Sequence, residues 1–320
     1  MARPMGTRPL VEGALLAAIA VVIILAGTYI PLVGPVMVFL WPVPIVVIQL
    51  RRGLRVSLLV LAVTCLALSA FLGPVSAVTL VISLGAAGIV LGEGVRRNWP
   101  ASWVLASGTA AVAAALLVTL GVSLWVLHIN PIELQFEALQ RSLEITAGLY
   151  ERLGAGQAFA PARQAMEEAI AASRYLLPAL LVMGAAFNAF LNYVVGSAVL
   201  ARLGHRPQPL PPFARWKLPL GVVFVYAAAL GMLVGGQRLK VGFLEVAGSN
   251  VITALNLAFL IEGIAVAYFY LSRLSVPKWF RILILVYLPF GPLVGQLLLW
   301  AGMLDVAIDL RRFARQGQAT

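Results

Sequence analysis

Apolar residues form long runs along most of the chain, and short polar turns separate these runs. A helix needs about 20 mostly apolar residues to cross a bilayer. The runs that approach this length cover residues 10–28, 33–50, 56–72, 75–92, 102–128, 175–200, 218–235, 248–271 and 282–304. No useful stretch alternates as a strand would, and lipid admits only helices or closed barrels. The pattern predicts an all-α polytopic membrane protein.

The last run is interrupted near its middle by Pro289 and Pro292. Each half is too short to cross a hydrocarbon core about 30 Å thick at about 1.5 Å per residue. We therefore predict eight transmembrane helices followed by a C-terminal re-entrant hairpin. The alternative is nine spans, with a proline kink in the last.

Basic residues fall in alternate turns, and such residues mark the cytoplasmic side of a membrane protein. This alternation predicts a cytoplasmic N-terminus. Glu12 and Glu93 lie beside arginines at the cytoplasmic ends of their spans. Arg238 and Lys240 are exceptions, because they lie in a turn that the alternation places outside. The net charge of +11 is explained by topology rather than by nucleic-acid binding.

Residues 129–173 are the polar exception between the fifth and sixth spans. Apolar residues recur there at one helical face: Ile132, Phe136, Leu139, Leu143 and Tyr150. Pro131 suits a first helical turn, Gly154 and Gly156 end the helix, and Pro161 is expected to start a second. The segment predicts an extracytoplasmic amphipathic helical hairpin. It is either a structural cap or a gate over an outward-facing cavity.

The proline-rich segment divides the chain. Residues 1–200, including the hairpin, are predicted to form a six-helix membrane unit. Residues 201–217 form a basic cytoplasmic linker, and residues 218–320 form a C-terminal helical unit.

Polar side chains inside spans are candidates for function because burying them in lipid is costly. Glu262 lies near the centre of the eighth span, which also contains Asn256, and Asn188 and Asn192 share one face of the sixth. These four residues are the candidate ligand-binding set. The alternative is that they only form hydrogen bonds between helices. Near the C-terminus, Asp305 and Asp309 are expected to pair with Arg312.

Catalytic signatures are missing from the sequence: it has no HExxH, GxSxG or P-loop motif and no Cys/His cluster. We therefore expect no enzyme activity, no cofactor and no metal site. Active transport would have to draw on an ion gradient or on a partner ATPase.

The N-terminal part resembles the substrate-binding S components of energy-coupling-factor transporters. The likeness is carried by Glu12-Gly-Ala-Leu-Leu-Ala-Ala-Ile-Ala, Trp41-Pro-Val-Pro-Ile, Arg52-Gly-Leu-Arg and Phe71-Leu-Gly-Pro. It implies a six-helix unit that binds a small molecule from outside. It also implies docking through Ala14 and Ala18 onto a membrane coupling subunit that works with ATPases. The outer hairpin and the extra C-terminal spans depart from that pattern.

The whole chain resembles more closely the YybS-like family of uncharacterised bacterial membrane proteins. The C-terminal cues are Asn256-Leu-Ala-Phe-Leu-Ile-Glu-Gly-Ile-Ala and Gly302-Met-Leu-Asp-Val-Ala-Ile-Asp-Leu-Arg-Arg. The resemblance implies a multi-pass protein of the bacterial inner membrane.

Two functions follow from these observations. The first is binding or helping to transport a small solute that enters beneath the hairpin. The second is a scaffold or assembly protein for cell-envelope partners. The second predicts an exposed apolar stripe on the hairpin at Ile132, Phe136, Leu139 and Leu143.

Overall fold

The computed structural model describes residues 7–30, 34, 37, 40–205, 207–274 and 277–312. These residues form helices, and none of them lies in a strand. The α-helices are α1 Thr7–Tyr29, α2 Val43–Arg52, α3 Leu54–Leu72, α4 Pro74–Arg96, α5 Ala101–Trp125, α6 Pro131–Arg152, α7 Gly156–Tyr175, α8 Leu177–Arg202, α9 Gly221–Leu239, α10 Gly242–Leu271, α11 Lys278–Tyr287 and α12 Pro292–Ile308. Two short 3-10 helices cover Phe213–Arg215 and Leu288–Phe290. The predicted all-helical fold class is confirmed.

Seven of the described helices are long and apolar enough to cross a membrane: α1, α3, α4, α5, α8, α9 and α10. Each matches one predicted span. The predicted span 33–50 lies partly outside the described residues, and α2 covers its second half. The chain is therefore polytopic, and the total of eight spans plus a re-entrant hairpin stays a prediction.

The chain divides into two compact units. The first contains Met1–Glu144 and Leu181–Pro209, and the second contains Ile145–Leu180 and Leu210–Thr320. The predicted division into 1–200, 201–217 and 218–320 stays a prediction drawn from hydropathy.

The first unit packs α1, α3 and α4 around small and aliphatic side chains. Ile24, Leu68 and Ala77 form one buried cluster. A second cluster contains Ala17 and Ile45 among its members. Closely packed small residues are common where transmembrane helices meet, because they let the backbones approach.

Charged groups in the first unit gather at helix ends, as the sequence predicts. Glu12 accepts hydrogen bonds from Arg51 and Arg52, both at 2.8 Å. Glu93 pairs with Arg96 at 2.7 Å and Arg97 at 2.5 Å. Both carboxylates are thus matched by arginines from the polar turns.

The predicted helical hairpin is present as α6 and α7. Asn130 caps α6, since its Oδ1 accepts hydrogen bonds from the backbone N–H groups of Ile132 (3.1 Å) and Glu133 (3.2 Å). The chain turns at Gly154, where φ is +73°. Across the turn, the rings of Tyr150 and Phe159 stack with their centroids 4.4 Å apart.

Two expectations about the hairpin are corrected. The second helix begins at Gly156, so Pro161 lies inside α7. Phe159 is buried against Tyr150, and this contact holds the residues before Pro161 in helical geometry. The exposed apolar stripe is also wrong in part, because Phe136 and Leu143 are buried while Leu139 is exposed.

The last run breaks where the prolines predict. Helix α11 ends at Tyr287, and α12 begins after the 3-10 turn. Helices α10 and α12 pack closely, because Gly302 has no side chain: an added Cβ would overlap the carbonyl oxygen of Phe259. The C-terminal ends of α10 and α12 lie together, since the Tyr270 hydroxyl donates to the Leu310 carbonyl at 2.8 Å.

Candidate functional site

The second unit contains a cavity of about 690 Å³ beside the N-terminal half of α10. Helix α9 contributes one wall through Leu233, and the junction of α7 with α8 contributes another. The lining residues are Ala172, Tyr175, Leu176, Leu233, Gly242, Glu245, Val246, Ser249, Ile252 and Thr253. Most of these side chains are apolar, so the few polar groups decide what the cavity could bind.

Those polar groups follow one face of α10. Glu245, Ser249 and Thr253 are spaced four residues apart, which puts them on successive turns of the same side. The Thr253 hydroxyl donates to the carbonyl of Ser249 at 2.8 Å. Within the described residues, the Glu245 carboxylate has no hydrogen bond or ion pair. No lysine, arginine or histidine is among the lining residues.

Asn250 holds the wall of this cavity in place. Its Oδ1 accepts a hydrogen bond from the Ala179 backbone N–H, and its Nδ2 donates to the carbonyls of Tyr175 and Val246, all at 2.8 Å. Helix ends leave backbone groups without partners inside the helix. Asn250 supplies those partners at the break between α7 and α8, and so fixes the break against α10.

A buried ion cluster lies further along α10. Glu262, Asp305 and Arg311 are 2%, 0% and 2% exposed. Arg311 Nη2 lies 2.5 Å from Asp305 Oδ2 and 3.4 Å from Glu262 Oε1. Burying charges is costly unless they are paired and hydrogen-bonded. Here one guanidinium serves two carboxylates.

The same cluster binds the segment that precedes α9. Arg311 donates to the carbonyls of Ala214 and Trp216, each at 2.7 Å. The backbone N–H of Leu218 donates to Glu262 Oε2 at 2.8 Å. The cluster therefore joins α10, α12 and residues 214–218 through hydrogen bonds, and most of its donors and acceptors are used within the protein. We call this arrangement a structural clamp.

One expected pairing at this site is wrong. Asp305 binds Arg311, where helical spacing predicts Arg312. The reason is the backbone at Asp309, whose left-handed conformation (φ 51°) ends α12 and turns the following residues back toward Asp305. Lys217 lies 3.1 Å from Asp309 on the same side.

The four predicted ligand-binding residues fall into both compact units. Asn192 is 4% exposed, and its Nδ2 donates to the carbonyl oxygen (2.9 Å) and to Oδ1 (2.8 Å) of Asn188 in the first unit. Asn256 and Glu262 belong to the second unit. The Asn256 Oδ1 is buried and has no hydrogen-bond partner within the described part of the chain. The ligand-binding role of all four stays a prediction.

The cavity is lined by a different set of residues. Sequence reasoning missed Glu245, Ser249 and Thr253, although their four-residue spacing along a largely apolar helix was a signal in the sequence. Asn250 was also visible as a buried amide. No group of three or more metal-ligating side chains lies among the described residues.

Ala14 and Ala18 lie on the exposed side of α1. Gly13 and Ala17, one residue earlier in each case, are buried on its other side. The predicted docking role of the two exposed alanines stays a prediction.

Comparisons with known proteins place the chain in a family. Residues 18–306 match the family described as "Predicted membrane protein (DUF2232)". The uncharacterized protein YybS of Bacillus subtilis (strain 168) is 26% identical over 305 residues, covering 95% of this chain and 98% of that protein. No solved structure matches. These matches confirm the YybS-like resemblance, and they do not show the resemblance to S components. The chain therefore belongs to the DUF2232 family of membrane proteins.

Proposed function

We propose that this multi-pass membrane protein binds a small solute in the cavity beside the N-terminal half of α10. The observation that supports it is the cavity itself, about 690 Å³ in volume and lined by apolar side chains with a few polar groups on one helix face. Ligand sites in proteins are typically concave, about 300–1,000 Å³, and mostly apolar with a small number of placed polar groups.

The position of the cavity supports entry beneath the helical hairpin. Ala172 and Tyr175 of α7 line it, so the second helix of the hairpin forms part of its wall. Under the predicted orientation the N-terminal end of α10 faces away from the cytoplasm. The hairpin then acts as a gate over an outward-facing cavity rather than as a cap alone.

The proposed topology has eight spans and a C-terminal re-entrant hairpin. The contact of Tyr270 with Leu310 and the bonds from Arg311 to Ala214 and Trp216 support it, because they bring the end of α12 to the segment that precedes α9. A ninth complete span would carry the end of the chain to the opposite side.

Cysteine labelling of intact cells tests this topology. The natural Cys65 is changed to serine, and single cysteines are introduced by His205→Cys, His128→Cys or addition after Thr320. We expect a membrane-impermeant maleimide to label only the His128→Cys variant from outside. Labelling of the residue added after Thr320 from outside would instead favour nine spans.

We further propose that the protein has no ATPase or other enzyme activity of its own and hands the solute to partners. The exposed Ala14 and Ala18 offer a small-residue face on α1 where another helix could pack closely. A coupling membrane subunit with ATPases is the partner set that the S-component resemblance suggests. Purification from native membranes in mild detergent, followed by mass spectrometry, should recover these partners. Cell-envelope assembly proteins without a bound solute would support the scaffold function instead.

Solute binding is tested with purified protein in lipid nanodiscs and a library of small metabolites. We expect at least one compound to raise the unfolding temperature, because a ligand that binds only the folded state stabilises it. The Ser249→Phe variant fills the cavity and should lose this shift. Its matched control, Ser272→Phe, places the same ring at the exposed end of α10 and should keep it. An equal shift in both variants would place the binding elsewhere.

A further inference from the structure

We infer that the cavity selects a small organic cation, a protonated amine attached to a compact apolar body. This inference rests on the proposed function and adds the chemical class of the solute. It starts from the balance of charges and of hydrogen-bond donors and acceptors in the lining.

The lining carries a single charged side chain, the Glu245 carboxylate, which has no ion pair within the described residues. An ionised carboxylate offers only acceptors. The Thr253 hydroxyl donates its hydrogen to the carbonyl of Ser249, so its oxygen can act only as an acceptor toward a ligand. The hydroxyls of Ser249 and Tyr175 in the lining can donate as well as accept, so the Glu245 carboxylate is the group that favours a ligand with donors and positive charge.

Tyr175 adds a second feature that favours a cation. Tyr175 is one of the lining residues and is 67% exposed, so its ring is accessible to a ligand. A cation within about 6 Å of an aromatic ring centre is attracted by the negative face of the ring. The carboxylate and the ring therefore favour the same kind of charge.

The apolar part of the lining determines what the uncharged part of the ligand can be. Leu176, Leu233, Val246 and Ile252 give apolar walls that cannot hydrogen-bond to a polar molecule. The volume of about 690 Å³ leaves room for one aromatic or branched aliphatic group beside the amine.

Arg238 and Lys240 lie just before α10, and as cations they attract anions, whereas the Glu245 carboxylate attracts cations. Neither is among the lining residues, so they affect the approach of a ligand rather than its bound position. An anionic probe measures their influence directly.

A matched series of three probes tests the inference: phenethylamine, 2-phenylethanol and 3-phenylpropanoate, which are cationic, neutral and anionic at pH 7. Titration of the full-length protein in nanodiscs should give a dissociation constant for the amine at least about tenfold below those of the other two. Glu245→Gln should remove this preference, bringing the amine within about threefold of the alcohol.

Glu133→Gln is the control. Glu133 and Glu245 both lie in the first turn of their helices, α6 and α10, but only Glu245 lines the cavity. The control should keep the tenfold preference, which separates a ligand contact from a general loss of negative charge at a helix start.

Three results would overturn the inference: equal binding of all three probes, tighter binding of the anion, or a preference for the amine that survives Glu245→Gln. If the alcohol binds and Ser249→Phe abolishes its binding while no amine preference exists, the cavity still binds solutes and only the cation selectivity is wrong. If no probe binds and the metabolite library gives no shift, the proposed function fails together with the inference.

Discussion

The two acidic residues of α10 have opposite surroundings, although they lie about 25 Å apart on one helix at 1.5 Å per residue. Glu245, near the N-terminal end, faces a cavity and has no ion pair among the described residues. Glu262 is 2% exposed and is bound to Arg311 and to the Leu218 backbone. One carboxylate is available to a ligand, and the other is already occupied by the protein.

The difference shows how chemistry can be divided along a single transmembrane helix. A polar group that is saturated with internal bonds stabilises one arrangement of the chain and leaves little capacity for anything else. A polar group beside a cavity contributes little to stability and remains free to recognise a solute. Burial alone would have selected Glu262 as the functional residue, whereas the unused bonding capacity selects Glu245.

Removing the Arg311 guanidinium from the buried ion cluster should lower the free energy of unfolding the most. Arg311→Met leaves two buried carboxylates without their positive partner, and breaking such a buried pair costs about 3–5 kcal/mol. The free energy of unfolding in detergent measures this loss. Arg312→Met, at the exposed neighbouring position, should change it by less than about 0.5 kcal/mol. Equal effects of the two substitutions would contradict the clamp.

Forcing α10 and α12 apart should lower the stability of the protein nearly as much. Gly302→Ala forces a methyl group into the Phe259 carbonyl, and such overpacking costs about 3 kcal/mol. Gly231→Ala is the matched control, because nothing lies within 4 Å of its added Cβ. We expect the thermal unfolding midpoint to fall clearly for the first variant only, and a tolerated Gly302→Ala would mean that α10 and α12 can separate slightly without loss.

The substitutions Glu262→Ala and Glu245→Ala compare how much each carboxylate contributes to the free energy of unfolding. The first leaves the partly buried Leu218 N–H without its acceptor and should cost about 1–3 kcal/mol of unfolding free energy. The second removes a carboxylate with no partner in the described protein and should change stability by less than about 0.5 kcal/mol. A larger loss for Glu245→Ala than for Glu262→Ala would mean that Glu245, and not Glu262, stabilises the fold.

Among the substitutions of buried groups, the smallest loss of stability is expected for Asn250→Ala, which removes three hydrogen bonds at the wall of the cavity. Tyr175 lines the cavity, so water can hydrate its freed carbonyl. The main cost is the buried Ala179 N–H, which loses its acceptor, and this loss should be about 1 kcal/mol. Faster hydrogen exchange at Ala179 would accompany it. A loss as large as that of Arg311→Met would show that water does not reach this junction.

Hydropathy alone was enough for much of the fold. Seven of the predicted spans appear as helices, because a long apolar segment in lipid has to satisfy its backbone internally. The hairpin and the break near Pro289 were also readable from local spacing. The start of α7 was not, since it depends on the stacking of Phe159 on Tyr150.

The ion cluster and the cavity were harder to predict from the sequence, because the residues that form them lie far apart along the chain. The partners of Arg311 lie 95 and 97 residues away at Trp216 and Ala214, and they are backbone carbonyls with no sequence signature. The cavity depends on how α9, α10 and the junction of α7 with α8 pack, which periodicity does not encode. A turn at Asp309 was enough to replace Arg312 by Arg311 as the partner of Asp305.

Arg311 follows its binding partners in the chain, and this order has a consequence for biosynthesis. Chains are made from the N-terminus, and earlier parts fold first. Glu262 and the carbonyls of Ala214 and Trp216 are therefore synthesised before the cation that binds them. The ion cluster of the second unit is completed only after residue 311 has been made, so a nascent chain halted before that residue displays an uncompensated acid within α10.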